Sequence, residues 1–336
     1  MEILTGLLII AIGSLGQSSS YVPIRKVKDW SWESFWLTQG VFAWLVFPLL
    51  GALLAIPAGS NLWQILAADM PAALKAMGYG VLWGIGGLTF GLSMRYLGVA
   101  LGQSIALGTC AAFGTLIPAL MAGTDLYHGG GLILLLGVCI TLAGIAVIGY
   151  AGGLRAQNMT EEERKAAIKD FALTKGLAVA LLSGAMSACF ALGLEAGGSL
   201  AAEGASDLFK ALPATLMVTC GGFLTNAAYC LYQNGKNKTF GDYGKKEVLM
   251  NNILFCALAG LLWYSQFFGL SMGQSFFVDA PVMLALSWSI LMSLNVLFSN
   301  LWGIVLKEWK GAAPKTVLVL IAGMAILIFS LLFPNL

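Results

Sequence analysis

The sequence predicts an all-α integral membrane protein with ten transmembrane helices, arranged as two inverted-topology repeats of five. Three observations carry this reading. The chain of 336 residues is 59% apolar and only 10% charged, where ordinary soluble domains carry roughly a quarter charged residues. Its apolar runs are repeatedly long enough to cross a bilayer core, which takes about 20 residues per helix. The pentapeptide FGLSM occurs at 90–94 and again at 268–272, in the two halves of the chain.

The first span, 3–22, is apolar until it reaches QSSSYVP (17–23), a polar helix end suited to lining a water-filled cavity. A basic, tryptophan-rich loop leads to span 2 at 34–57. Span 3, 72–95, carries WGIGG (83–87) and ends on Arg95. Span 4, 98–122, opens with GQSIALG (102–108), and span 5 covers 130–151. The longest polar interruption, 155–175, then divides the chain into a first repeat at 1–154 and a second at 176–336. Its TEEERKAAIKDF stretch reads as a short amphipathic helix capped by Thr160, with glutamates in the first turn and lysines later. Spans 6 and 7 follow at 175–197 and 208–232. Span 8, 249–272, contains LWYSQFF (262–268). Span 9, 279–306, contains SWS (287–289) and Asn295, and span 10 covers 316–334.

Charge supports the count. Sixteen of the eighteen Lys and Arg residues fall on odd-numbered connections, and only Lys75 and Lys210 on even ones. Cytoplasmic loops collect basic residues, so the odd connections are predicted inside and both termini outside. Span 3 then descends to the cytoplasm and span 8 leaves it. The first FGLSM copy ends at a basic residue and the second does not, as opposite directions require. LAGIA (142–146) resembles IAGMA (321–325) at nearly the same offset. Such repeats place a substrate site near the bilayer midplane.

Several function classes are disfavoured. A net charge of +2 leaves no nucleic-acid footprint. Six cysteines lie inside apolar runs with no CxxC pair, and a single histidine, His128, is present, so neither a metal site nor a disulfide framework is expected. No cleavable leader is expected at the start, nor any cofactor. No convergent nucleophile, base or metal set suggests an enzyme. No ring of charges or repeated filter suggests a channel.

The interior groups that remain are neutral and aromatic. Gln17, Tyr21, Trp83, Gln103, Tyr264, Gln266, Trp288 and Asn295 are the candidate substrate-binding residues. Amides and hydroxyls beside ring faces suit a sugar. A phosphorylated substrate calls for Arg or Lys at depth. The alternative for each is packing, since Ser, Gln and small residues also join membrane helices. Trp63, Trp302 and Trp309 read as interface anchors.

YVPIRKVKDWSWESFW (21–36), WGIGGLTFGLSMRYLG (83–98), GLLWYSQFF (260–268) and GIVLKEW (303–309) resemble, in order, the L-rhamnose–proton symporter family. The likeness covers essentially the whole chain. It implies the ten-helix inverted-repeat fold of the drug/metabolite transporter superfamily, and uptake of a 6-deoxy sugar with a proton as coupling ion across a bacterial inner membrane. Gln17, Gln39, Gln103 and Asp279 lie outside those motifs. Two other readings stand beside it: a drug exporter of the same superfamily, and a membrane sugar sensor that does not transport.

Symport needs a group that takes up and releases a proton, and a carboxylate reaching the cavity can serve because burial raises its pKa. Glu33, in the family's WSWE motif, and Asp279, the only charge between Val248 and Leu306, are the candidates. Glu33 could instead be a helix-start carboxylate paired with Lys26 or Lys28, and Asp279 a cap on span 9. Asp69, Asp125, Asp207, Asp242 and Glu247 read as solvated loop residues.

Overall fold

A bilayer offers the backbone no hydrogen-bond partners, so a spanning segment must satisfy its own N–H and C=O groups. The computed structural model meets this with helices. It describes residues 2–97, 99–157, 172–201, 206–307 and 309–335, and every long element among them is α-helical. These are α1 (Glu2–Ser19), α2 (Trp32–Leu54), α3 (Met70–Leu97), α4 (Val99–Met121), α5 (Gly129–Gln157), α6 (Leu173–Ala196), α7 (Leu212–Asn237), α8 (Lys246–Gln274), α9 (Pro281–Val305) and α10 (Pro314–Leu332). Among the described residues, nine helices are long and apolar enough to cross a membrane. A tenth candidate is the pair Leu62–Ala68 and Met70–Met94, bent by 95°. The chain is a multi-pass membrane protein. The amphipathic helix expected around 160–171 lies outside the described residues, as do Glu203 and Glu308.

The helix starts follow local chemistry. Ser31 caps α2 and accepts from the Ser34 N–H. Prolines stand in the first turns of α7, α9 and α10, where the missing N–H costs no helix bond. α1 stops at Ser19 and resumes as the single turn Tyr21–Ile24, so the polar QSSSYVP stretch is where the helix breaks. α2 is not uniform. Residues Val41–Val46 form a π-helical segment, and the Phe47 N–H reaches back to Phe42 O.

The chain forms two compact units. Unit 1 comprises Met1–Gly84 and Leu192–Phe276, and unit 2 comprises Ile85–Ala191 and Phe277–Leu336. In unit 1, α1 lies along α8. A Cβ on Gly13 would stand 2.6 Å from Ser265 O, so only glycine permits that approach. The Ser265 hydroxyl donates to Gly13 O at 2.9 Å. This is the small-residue packing that joins membrane helices, reinforced by an interhelical hydrogen bond.

In unit 2, α5 crosses α10 at Gly144 and Gly323. A Cβ on Gly323 would lie 3.1 Å from Gly144 O. These glycines are the centres of LAGIA and IAGMA, so the two similar pentapeptides pack on one another. On α6, the Ser183 hydroxyl donates to Gly86 O on α3 at 2.9 Å.

Candidate functional site

Indole rings form a connected wall in unit 1. On α2, Trp32 stacks on Trp36 at 5.4 Å and 16°. Trp36 meets Trp44 edge-on at 5.6 Å. Trp44 then touches Trp83 of α3 and Trp263 of α8, each at 6.0 Å, and those two lie 5.8 Å apart. Such pairs each contribute about 0.5–1.5 kcal/mol beyond the area they bury.

The polar atoms beside this wall differ in how they are satisfied. Trp36 donates its indole N–H to Asn226 Oδ1 at 2.9 Å, and Asn226 donates to Gly222 O at 2.8 Å. Trp44 is only 5% exposed, yet its Nε1 has no acceptor among the described residues. The same is true of Gln39 Oε1, Tyr264 Oη and Ser14 Oγ, all buried and without a partner among the described residues. Tyr264 occupies a slot made by Gly51, where a Cβ would collide with its hydroxyl. Buried polar groups ordinarily find partners, and one left unmade costs about 1–3 kcal/mol. Three of the four stand on α2 and α8, which share the aromatic wall, and Ser14 stands on α1, which lies along α8. Together they leave donors and acceptors for hydroxyl groups of a ligand.

The sequence-predicted residues divide between the units. In unit 1, Trp83 and Tyr264 belong to the arrangement just described. Gln266 is buried and donates to Trp263 O at 3.1 Å. Gln17 is half-buried and accepts from the Ser18 hydroxyl at 3.3 Å. Tyr21 is 52% exposed on its short turn. In unit 2, Trp288 stacks on Phe190 at 5.7 Å and 19°, and its N–H donates to Cys110 O at 3.3 Å. One of its faces and its donor are thus engaged by packing. Asn295 is buried on α9 and Gln103 is half-buried on α4. Thr115 Oγ1 and Ser289 Oγ are buried there without a partner among the described residues.

Trp44 and Asn226 escaped the sequence reading because each sits in an apolar run without a flanking motif, whereas Trp263 stands inside LWYSQFF beside the polar candidates Tyr264 and Gln266. A usable signal existed. Trp36, Gly40 and Trp44 recur at four-residue spacing, which puts two indoles and the gap between them on one helix stripe.

Among the described residues, the buried carboxylates are Glu33 and Asp242. Glu33, 5% exposed, accepts from Asn237 Nδ2 at 2.9 Å and Thr239 Oγ1 at 2.8 Å. Asn237 ends α7 and Thr239 follows it in the α7–α8 connection, and the alternative pairing of Glu33 with Lys26 or Lys28 does not occur among the described residues. The solvated reading of Asp242 is overturned: it is 6% exposed. Its Oδ2 accepts from the Ser31 N–H at 2.8 Å and its Oδ1 from Lys245 Nζ at 2.7 Å, while its backbone O accepts from Trp30 Nε1 at 2.8 Å. Burial alone would raise its pKa, but the Lys245 ammonium and the Ser31 and Ser34 hydrogen bonds outweigh it and lower it to about 2. Asn252 completes the clasp. It accepts from the Lys28 N–H at 3.0 Å and donates to Lys28 O at 2.7 Å. Asp279 is exposed in unit 2, and the residue at the N-cap of α9 is Ala280, so Asp279 is not its cap.

A groove of about 590 Å³ runs between α4 and α5. Its walls include Ile105, Leu142 and Ile145, and the Thr109 hydroxyl on its rim is already bonded to Ile105 O at 2.7 Å. That lining suits an acyl chain better than a sugar.

The family model for the L-rhamnose-proton symport protein matches residues 1–333. The chain belongs to the L-rhamnose–proton symporter family. The L-rhamnose-proton symporter of Yersinia pestis (strain Pestoides F) is 34% identical over 341 residues, covering 98% of this chain and 96% of the relative. The same figures hold for the L-rhamnose-proton symporter of Yersinia pseudotuberculosis serotype O:1b (strain IP 31758). The indole wall runs through segments that carry the family resemblance: Trp32 and Trp36 stand in its loop motif, Trp83 in WGIGG and Trp263 in GLLWYSQFF.

Proposed function

We propose that this protein imports L-rhamnose or a closely related 6-deoxy sugar across a bacterial inner membrane by proton symport, through alternating access. Family membership along residues 1–333 is the observation that carries this. The chemistry of unit 1 supports it. Indole faces at Trp83 and Trp263 suit the CH face and methyl group of a deoxy sugar. Tyr264 Oη, buried and unsatisfied among the described residues, is a hydroxyl partner. Gln266 is a second, exchanging its bond to Trp263 O for one to the sugar. No Lys or Arg is buried among the described residues, which suits an uncharged substrate.

The proton is carried by a carboxylate. Glu33 ranks first because it is buried, lies in a family motif, and is held by neutral partners whose hydrogen bonds can rearrange. Asp279 ranks second. We read residues 1–154 and 176–336 as inverted repeats joined by 155–175, with both termini periplasmic, on the repeated pentapeptides and the charge alternation.

Counterflow in proteoliposomes tests the function. L-rhamnose inside should drive uptake of labelled L-rhamnose, and an imposed inward proton gradient should drive its accumulation. A drug exporter would ignore the sugar. A sensor would bind it and show no flux.

A further inference from the structure

α2 has an irregularity that helix propensity does not demand. Its apolar run could continue as an ordinary α-helix, yet Val41–Val46 is π-helical and the Phe47 N–H bonds to Phe42 O, five residues back. Single π turns are rare and concentrate at functional sites. This one is bordered by two of the four unsatisfied buried polar atoms of unit 1. Gln39 Oε1 lies just before it and Trp44 Nε1 lies within it.

The local packing holds the Trp44 ring in place, and Gln39, earlier on the same helix, is buried. The Trp44 ring folds back over Gly40, where a Cβ would come within 2.6 Å of the ring carbons. On the next helix, a Cβ on Gly260 would stand 2.8 Å from Phe42 and 2.9 Å from the Ala43 nitrogen, so α8 presses directly on the π segment. Trp44 is also wedged against Trp36, Trp83 and Trp263. Trp30, Trp36 and Trp288 each donate the indole N–H to an oxygen of the protein. Trp44, as buried as Trp288 and more so than the half-buried Trp30 and Trp36, does not among the described residues.

We infer that α2, at its π segment and the α turn just before it, selects the sugar: Trp44 Nε1 donates to one sugar hydroxyl oxygen, and Gln39 Oε1 accepts a sugar O–H. A donor and an acceptor five residues apart on one helix read the placement of hydroxyls, which differs among deoxyhexoses of equal size and polarity. The aromatic wall alone accepts any sugar with an apolar face. A site built to bond a hydroxyl rejects the analogue lacking it far more strongly than an apolar pocket rejects a misfit. This inference rests on the proposed uptake of a 6-deoxy sugar and adds two residues and a role to that site.

The test is a cycle between protein variants and sugar analogues. Gln39→Met keeps the side-chain length and removes the amide, and Trp44→Phe keeps an aromatic ring and removes the indole N–H. Binding of L-rhamnose and of its monodeoxy analogues is measured on the full chain in detergent, with Tyr264→Phe as reference. Each α2 variant is expected to bind L-rhamnose about tenfold more weakly than the unaltered protein. For each, one monodeoxy analogue should bind the variant and the unaltered protein equally, because the lost partner is the missing hydroxyl. If Tyr264→Phe weakens binding and both α2 variants do not, the selector role is wrong and the wider sugar site stands. If none of the three weakens binding, the placement of the site in unit 1 falls as well. If an α2 variant weakens every analogue by the same factor, the residue acts through packing and the inference fails. Should Gln39→Met not fold, Gln39→Asn carries the same cycle, since it retracts the amide by one methylene and keeps its polarity.

Discussion

Replacing Asp242 by Asn should loosen the clasp between the α1–α2 and α7–α8 connections, by an amount the structure sets. The carboxylate is 6% exposed and holds the Ser31 N–H and the Lys245 ammonium. Its pKa is lowered from 3.8 to about 2 by those partners acting against burial. At about 1.4 kcal/mol per unit, the ionised form contributes on the order of 2 kcal/mol to the folded state. The folded pKa is the lower one, so this stability is fully present above pH 3.8 and is lost as pH falls through about 2. About half of it should be gone by pH 3. SDS-titrated unfolding in mixed micelles, followed by indole fluorescence between pH 7 and pH 3, reads both effects. Asp242→Asn should unfold at lower SDS at pH 7 and lose the acid-dependent part of the transition. Adding Lys245→Met to the Asp242→Asn variant should then cost only the bond that the ammonium still donates to Asp29 O, because the partner charge is already gone. Equal stability of the variant at pH 7, or an unchanged acid limb, would refute the assignment of Asp242 as the charged centre of the clasp.

Four further outcomes are expected. Gln266→Ala should weaken L-rhamnose binding about tenfold while the protein stays monodisperse; unaltered affinity in a titration would reduce Gln266 to a packing role against Trp263 O. Glu33→Gln should abolish accumulation driven by a pH gradient and spare sugar–sugar counterflow, with Asp279→Asn measured alongside; if both variants still concentrate sugar, neither carboxylate carries the proton. Gly51→Ala should force the Tyr264 ring from its slot, costing about 1–3 kcal/mol by overpacking; unfolding and sugar binding that match the unaltered protein would show that α2 and α8 adjust freely. In a background without native cysteines, Asn158→Cys and Phe240→Cys should react with a membrane-impermeant thiol reagent only from the cytoplasm, and Leu126→Cys and Gly204→Cys only from outside; the reverse pattern would overturn the inside-odd topology.

The FGLSM copies mark where one-dimensional reasoning stops. Their glycines are identical in sequence, but Gly91 meets open space while Gly269 presses on Ile9 O and Gly13 of α1. A pentapeptide encodes helix and apolarity, not which neighbour arrives. LAGIA and IAGMA look like traces of repetition, and α5 and α10 meet through them. A shared packing requirement is enough to keep such segments alike. Asp242 shows the same limit in a loop. In sequence it is one of several acids near lysines, and its burial depends on a segment 211 positions away presenting the Ser31 N–H.

The sequence by itself determined the solvent, the helices and the family. Long uncharged runs can satisfy their backbones in a bilayer only as helices, basic loops carry their own orientation signal, and distinctive motifs survive as strings of letters. The tertiary structure decided which polar side chains are satisfied and which are left over. Trp36 and Trp44 are the same residue type on the same stripe of α2. Asn226 of α7 reaches the indole nitrogen of Trp36, and nothing among the described residues reaches that of Trp44. A hydrogen bond is a matter of ångströms between segments distant in the chain. Whether a buried donor is spent on the fold or kept for a ligand is therefore settled only when the helices pack.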